Sequence, residues 1–328
     1  MSHPLVRFVA LRLAQGVPVV AGIALTNFLI LHLAPGDAVD VLAGDAGGAT
    51  PEYMAELRHQ FGLDQPLIVQ LYRYLESLAH FDLGFSHRNE MAVITLIMSR
   101  LPATLLLMSV ALAIAVLAGS ALGLVAAVRV RTATDSAISI AVLILHAVPP
   151  FWFGLMAIVV FSVKLGWLPS GGIVSLDRPT AAFATIGDVV RHLTLPALTL
   201  ANFYLAAYTR LMRASMLELR GADFVRTARA KGATEARVVL VHTLRNALLP
   251  MVTMLGLQAS ALLSGAVVVE SVFGWPGLGR LAFEAVASRD LNLLLGILFL
   301  SSILVTAVNI GVDVLYAVLD PRVAYGGA

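Results

Sequence analysis

The sequence predicts an all-α integral membrane protein with six transmembrane helices and both ends on the cytoplasmic side. It also predicts a pair of short cytoplasmic helices between the fourth and fifth spans, and a small external subdomain between the first and second. Three observations carry this. Of 328 residues, 59% are hydrophobic and 13% charged, with a mean hydropathy of +0.88, against about 25% charged in a soluble domain. The apolar residues gather into six stretches that reach or approach the roughly 20 residues needed to cross a bilayer. The basic residues fall on one side of those stretches. With no cysteine in the chain, disulfides, thiolate metal sites and a cysteine nucleophile are excluded.

The first stretch, Phe8–Leu33, follows Arg7 and carries Arg12 near its start. Its apolar run exceeds the 7–15 residues of a signal-peptide core and ends in Ala34-Pro35-Gly36-Asp37, without a small-x-small cleavage site, so it reads as a retained anchor. The second, Pro102–Val128, and the third, Ala137–Val163, hold no charge. Pro149 and Pro150 should kink the third. The fourth, Thr194–Tyr208, extends to Met212 if Arg210 reaches the interface; the fifth is Ala247–Val269. The sixth, Leu291–Leu319, contains Asp313.

Lys and Arg set the direction. With the N-terminus inside, the cytoplasmic segments hold thirteen basic and five acidic residues, and the external segments nine basic and thirteen acidic. The reverse orientation would put the basic excess outside. The chain therefore divides into 1–33 (cytoplasmic end and first span), 34–101 (external subdomain), 102–320 (membrane core) and 321–328 (cytoplasmic tail).

In the external subdomain, Thr50 should cap a short helix beginning at Pro51. Pro66–Ala79 carries Leu67, Leu71, Leu75 and Leu78 at helical spacing. This subdomain either covers the mouth of the membrane core or docks another protein. The second external segment, Lys164–Leu193, is rich in Gly, Pro and Thr and reads as irregular.

The most informative segment is the basic one, Arg213–Arg245. Asp223 is placed as the N-cap of a helix running through Lys231, with Phe224, Ala228 and Lys231 on one face and Arg226, Arg229 and Ala230 toward the other. Gly232 ends it as a C′ glycine, and Thr234 caps a second helix leading through Val238, Val241 and Leu244. Attraction to anionic lipid accounts for the charge. It does not account for two alanine-bearing helices meeting at a glycine, which is compact enough to enter a groove on another protein.

Among membrane-embedded residues, ionisable groups default to functional candidates. Asp313 reads as a partner for a neighbouring helix or arginine, or as a substrate contact. Glu270, at the outer end of the fifth span, could meet a substrate or gate. His146, just before Pro149, either faces a cavity or is hydrogen-bonded in packing. Trp275-Pro-Gly-Leu-Gly279 reads as a tight turn with a Trp anchored at the membrane interface or, with Phe273, as an external gate. Ala111, Ala115, Gly119, Gly123 and Ala127, and likewise Gly256, Ser260 and Ser264, form small-residue stripes. These permit close helix approach, either within one subunit or across a dimer. Eight histidines are scattered without a helical His pair, so no metal site is read.

The basic segment resembles the permease subunits of bacterial ABC importers, whose cytoplasmic loop has the form E-A-A-x3-G-x9-I-x-L-P. Aligned on Gly232, Arg226-Thr227-Ala228 stand at E-A-A, and His242 and Leu244 at I and L, while Arg226 replaces the Glu and Arg245 the Pro. The wording Arg226–Gly232 followed by His242–Pro250 is similar to the dipeptide/oligopeptide/nickel branch, as are Gly62–Pro66, Asp82–Ser86, Pro149–Gly154 and Val272–Arg280. The long first external loop resembles the "B" permease of such systems rather than its "C" partner.

The resemblance implies a subunit of the bacterial cytoplasmic membrane that pairs with a second, homologous "C"-type permease. Two ATPase subunits would dock on a coupling helix at about 222–231, involving Asp223, Arg226, Ala228, Arg229, Lys231 and Gly232. An external solute-binding protein would deliver a di- or oligopeptide, or alternatively nickel, glutathione or haem. ATP and magnesium would belong to the ATPases, with no cofactor in this chain and no nucleic acid among its partners.

The residues agree on the energy source. A phosphate-cradling G-x-x-x-x-G-K-[ST] loop needs a lysine, and neither Lys164 nor Lys231 fits one. A stand-alone secondary transporter would need coupling charges in its spans beyond Asp313 and Glu270, and would leave the cytoplasmic helix pair without a role. An intramembrane enzyme would need an H-E-x-x-H, a G-x-S-x-G or paired carboxylates, and the sequence has none of these.

Overall fold

The structure, a computed structural model, describes residues 2–33, 50–60, 63–86, 88–175 and 182–319. The expectations for Ala34–Asp37, Gly62, Asp320, Arg322 and the C-terminal tail lie outside the described residues, as do the side chains of Ser260 and Ser264.

Helices account for nearly all of what is described. They are α1 (Ser2–Leu33), α2 (Pro51–Gln60), α3 (Leu67–Ala79), α4 (Val93–Val128), α5 (Ala133–Ala147), α6 (Pro150–Ala157) and α7 (Ala182–Leu219), followed by α8 (Asp223–Ala230), α9 (Glu235–Arg237), α10 (Leu244–Ala247), α11 (Leu249–Val272), α12 (Leu278–Ala287) and α13 (Leu291–Leu319). Two widened π-helical segments, Ile158–Lys164 and Val238–Thr243, continue α6 and join α9 to α10. A two-residue antiparallel hairpin pairs β1 (Phe85–Ser86) with β2 (Met91–Ala92).

The six apolar stretches reappear as helix, but not as six plain spans. Among the described residues four helices are long and apolar enough to cross a membrane: Val9–Leu33, Val93–Val128, Glu235–Gly256 and Leu291–Val314. The third stretch is not a kinked rod. α5 and α6 meet at 99°, and together make at most a fifth span. Val148 and Pro149 are extended there (ψ 126° and 136°), and Pro150 opens α6. A residue preceding proline is pushed out of the α region, so two successive prolines end one helix and begin another.

The second and fourth stretches extend into segments expected to be loop. α4 begins nine residues before Pro102, and α7 begins at Ala182, so the last dozen residues of the second external segment are helical. Asp188 anchors that extension. It accepts from the Ser175 N–H and hydroxyl, both at 2.7 Å, and those donors hold its carboxyl below the usual range.

Contacts group the chain into two compact units, one formed by Met1–Val9, Leu101–Leu281 and Ala307–Ala328, the other by Ala10–Arg100 and Ala282–Thr306. In the first, α7 is the central element. Its buried residues Leu193, Ala197, Leu200, Ala201, Tyr204, Tyr208, Met212 and Met216 follow helical spacing along most of its length. The small-residue stripe of α4 packs on it. Ala111, Ala115 and Ala127 are buried, while Gly119 abuts Leu205, Tyr208 and Thr209, and Gly123 abuts Thr209, Met212 and Arg213. Of the two readings of that stripe, the structure shows close packing within one subunit. Gly256 does the same for α11 against Val312 of α13.

In the second unit, α3 crosses the C-terminal end of α1. The Phe28 and Tyr74 rings lie 5.7 Å apart, and His32 Nε2 is 3.0 Å from Gln70 Oε1. The Thr50 hydroxyl caps α2 as expected, accepting from the Tyr53 N–H at 3.3 Å. The Asp82–Ser86 motif builds a corner. Asp82 accepts from the N–H of Gly84, which has φ +81°. The buried Ser86 hydroxyl donates to Asp290 at 2.5 Å, and the other Asp290 oxygen accepts from the Leu293 N–H at the start of α13.

Candidate functional site

The helix pair on either side of Gly232 is built almost as its residues dictate. α8 starts at Asp223, one residue earlier than a cap at Asp223 would allow. Ala222 is the N-cap, without a side-chain bond, and Asp223 supplies first-turn negative charge instead. At the other end Lys231 is the C-cap and Gly232 has φ +80°. The Gly232 N–H donates to Arg229 O at 2.9 Å and the Ala233 N–H to Ala228 O at 3.2 Å. These paired bonds are the Schellman closure of a helix, which needs a left-handed residue at C′. The Thr234 hydroxyl caps the next helix through the Arg237 N–H at 3.4 Å.

Val225 and Ala228 of α8 pack against Val238, flanked by Ala222 and Ala233. Ala228 therefore faces inward, not toward a partner on a shared face with Phe224. Phe224 stays 41% exposed. Arg229 makes two bonds to Glu235 across the glycine turn, at 2.7 and 3.2 Å, so it braces the pair. Arg226 is 3.7 Å from Asp223 and largely exposed. Lys231 and Gly232 are exposed. The result is a stiff V of two helices with Phe224, Arg226 and Lys231 on its outer surface. Beyond the V, the Thr243 hydroxyl donates back five residues to Val238 O at 3.1 Å, within the π-helical segment.

α7 runs into this V through Arg220 and Gly221, and it is clamped nearby. Arg213 donates twice to the buried Asp135 of α5, at 2.7 and 2.8 Å, and the Arg131 N–H donates to the same carboxylate at 3.0 Å. The sequence showed both charges, but nothing in it paired residues 78 positions apart.

The candidates in and after α11 converge on a closed corner. Glu270 is fully buried. Its carboxylate accepts from the Thr104 hydroxyl at 2.7 Å and the Arg280 N–H at 2.9 Å, and Gly277 lies directly against it. The Thr104 hydroxyl in turn accepts from the Leu278 N–H at 2.7 Å. Trp275 is not an interface anchor. Its ring is fully buried, with Nε1–H donating to Ala103 O at 2.9 Å. Phe273 is buried too; its carbonyl accepts from the Gly172 N–H at 2.9 Å, and its ring lies against Gly154. In this conformation Glu270, Phe273 and Trp275 tie the loop after α11 to α4, α6 and the 171–172 turn, and do not line an open passage.

His146 joins the helix break. Its Nδ1 is 3.2 Å from Phe203 O, and its ring packs on Phe203. One residue earlier, the Asn202 amide donates to Leu145 O at 3.1 Å. α7 thus takes up a carbonyl that the proline break leaves without a helical donor, a requirement of backbone inside a membrane. Asp313 sits half-buried on α13. Among the described residues no three His, Asp or Glu side chains gather closely enough to hold a metal ion.

Residues 119–325 match the family described as "Binding-protein-dependent transport system inner membrane component", and residues 5–108 match its N-terminal companion. The chain belongs to this family. It is the permease subunit of an ABC importer, and a multi-pass membrane protein. The permease is 41% identical over 315 residues to a putative peptide transport system permease of Brucella abortus, covering 96% of this chain and 98% of that one. It is 39% identical over 323 residues to the oligopeptide transport system permease AppB of Bacillus subtilis (97% and 99% covered). It is 39% identical over 332 residues to the di/tripeptide transport system permease DppB of Pseudomonas aeruginosa (97% and 98% covered). Among solved structures, an inward-facing MetNI methionine ABC transporter chain superposes with a TM-score of 0.55 at 18% identity, over 69% of the permease and 97% of that chain. That likeness is one of fold.

Proposed function

We propose that the permease supplies half of a translocation pathway for di- and oligopeptides in the bacterial cytoplasmic membrane. In this reading it crosses the membrane six times with both ends inside and pairs with a homologous "C"-type permease. It receives an external solute-binding protein, and takes its work from two separate ATPase subunits that bind ATP and magnesium. The observation that carries the coupling role is the α8–α9 V. Its interior is self-sufficient, through Val225, Ala228 and Val238. Its outer surface presents an exposed aromatic ring and two exposed cations, on the side where the positive-inside rule places the cytoplasm. The near full-length identity to peptide permeases supports the peptide substrate.

The test uses the complete importer reconstituted in vesicles. Phe224→Asp with Arg226→Glu removes only exposed groups, so assembly of the two permeases is expected to survive. Peptide uptake and the ATP hydrolysis stimulated by loaded binding protein are expected to fall about tenfold or more, a loss of roughly 1.4 kcal/mol or more of contact. Gly232→Pro should do the same by a different route, since proline cannot adopt φ +80° or supply the N–H to Arg229 O. Wild-type uptake in both variants would overturn the coupling role. Binding of labelled dipeptides, nickel, glutathione and haem to the companion solute-binding protein tests the substrate separately.

A further inference from the structure

Helix α3 carries more apolar surface than the protein covers. At 3.6 residues per turn, its covered side is centred on Tyr74 and Leu78, flanked by Gln70, Leu71 and Ser77. These five are buried or half-buried, two of them on α1, while Leu67 at the start of the same side stays 62% exposed. Turning about a quarter of the way round from that centre, Leu75, Ile68, Ala79 and Tyr72 fall within about 60° of arc. Ile68 is 71% exposed, Tyr72 67% and Leu75 36%. Beyond them come the exposed Glu76 and Arg73, with the half-buried Val69 between them. The helix thus has three sectors in order: one against its own subunit, one apolar and uncovered, one charged.

Its position says what covers the middle sector. α3 meets α1 at Phe28 and His32, within a turn and a half of the external end of that helix. The Val9–Leu33 span is about 37 Å long at 1.5 Å per residue, against a hydrocarbon core of about 30 Å. Its last turns therefore stand at the level where head groups meet acyl chains. The same end of α1 exposes Leu29, Ile30 and Leu33, the apolar surface that a membrane-spanning helix turns to lipid. A helix lying across that end shares its depth. An apolar strip bordered on one side by charge, with a tyrosine in it, is the form that settles into a bilayer interface.

We propose that α3 is an interfacial helix, with Ile68, Tyr72, Leu75 and Ala79 immersed in the outer leaflet and Arg73 and Glu76 in water. The external subdomain is then moored to lipid as well as to α1, and its height above the membrane is fixed.

The absence of native cysteine makes the test direct. Single cysteines at positions 68, 72, 75, 73 and 76 carry a nitroxide in the assembled importer in lipid nanodiscs, with companion cysteines replaced. Collisional relaxation by oxygen, which concentrates in lipid, is compared with that by a water-soluble nickel chelate. Positions 68, 72 and 75 are expected to favour oxygen, and 73 and 76 the chelate. Strong chelate relaxation at 68, 72 and 75 would place the strip in water and overturn the proposal. Weak relaxation by both agents there would place it under another protein and overturn it equally. Every site replaced is exposed, so the variants test placement and not folding.

Discussion

Glu270 shows how a single charged residue in an apolar segment is used here. Each carboxylate oxygen has a donor within 3 Å, from Thr104 or Arg280, and the Gly277 backbone seals it. Removing one donor leaves a buried acceptor short. Thr104→Val is therefore expected to cost about 1–3 kcal/mol, read as a lower midpoint of thermal unfolding in detergent; an unchanged midpoint would mean that water replaces the hydroxyl. None of this was legible in the sequence. It marked Glu270 as costly and so as functional, but the groups that satisfy it lie on α4, 166 residues away, and in a loop that looked like an interface anchor. Gly232 was legible for the opposite reason. Its left-handed conformation answers to neighbours within four residues, and the local pattern of small and capping residues contains them.

At the scale of elements, the contact between α4 and α7 decides the packing of the first unit. A Cβ on Gly123 would strike the Thr209 carbonyl and the Met212 side chain, and backbone cannot yield. Gly123→Val is expected to abolish stable accumulation of the protein. Gly311→Ala, at a site with open space and an ordinary helical conformation, is expected to be neutral or slightly stabilising, since alanine favours helix by up to about 1 kcal/mol. Immunoblots of membrane fractions would check both, and equal levels for the two variants would disprove the packing argument. The stripe itself could be read from its four-residue steps, but not the helix it meets. The third stretch was half legible. Two prolines announced a disturbance, yet a 99° bend needs Asn202 and Phe203 of α7 to hold the broken end, and no local pattern points to them. The fourth stretch was under-read because α7 places charges at both ends of an apolar stripe that faces other helices, not lipid.

For the molecule as a whole, the energy must enter from outside the chain. Vesicles containing this permease alone are expected to show no peptide uptake with or without ATP, measured with radiolabelled dipeptide. Uptake under those conditions would mean that the chain drives itself, and the assignment of α8 would fall with it. The six apolar stretches and their charge asymmetry gave the membrane character. The coarse architecture was legible because bilayer physics acts on composition, whereas the buried ties were not, because they join distant residues. One of those ties has a mechanical consequence. α7 runs as helix for 38 residues with Pro196 inside it, a rise of about 57 Å along its axis. It is pinned to the Ser175 turn near its N-terminal end and to Asp135 near its C-terminal end, and it leads into the V at Gly221. In the proposed importer, a tug on the V would pass along this one helix, past the missing hydrogen bond at Pro196, to its Ser175 tie, with no chain of shifting side chains between.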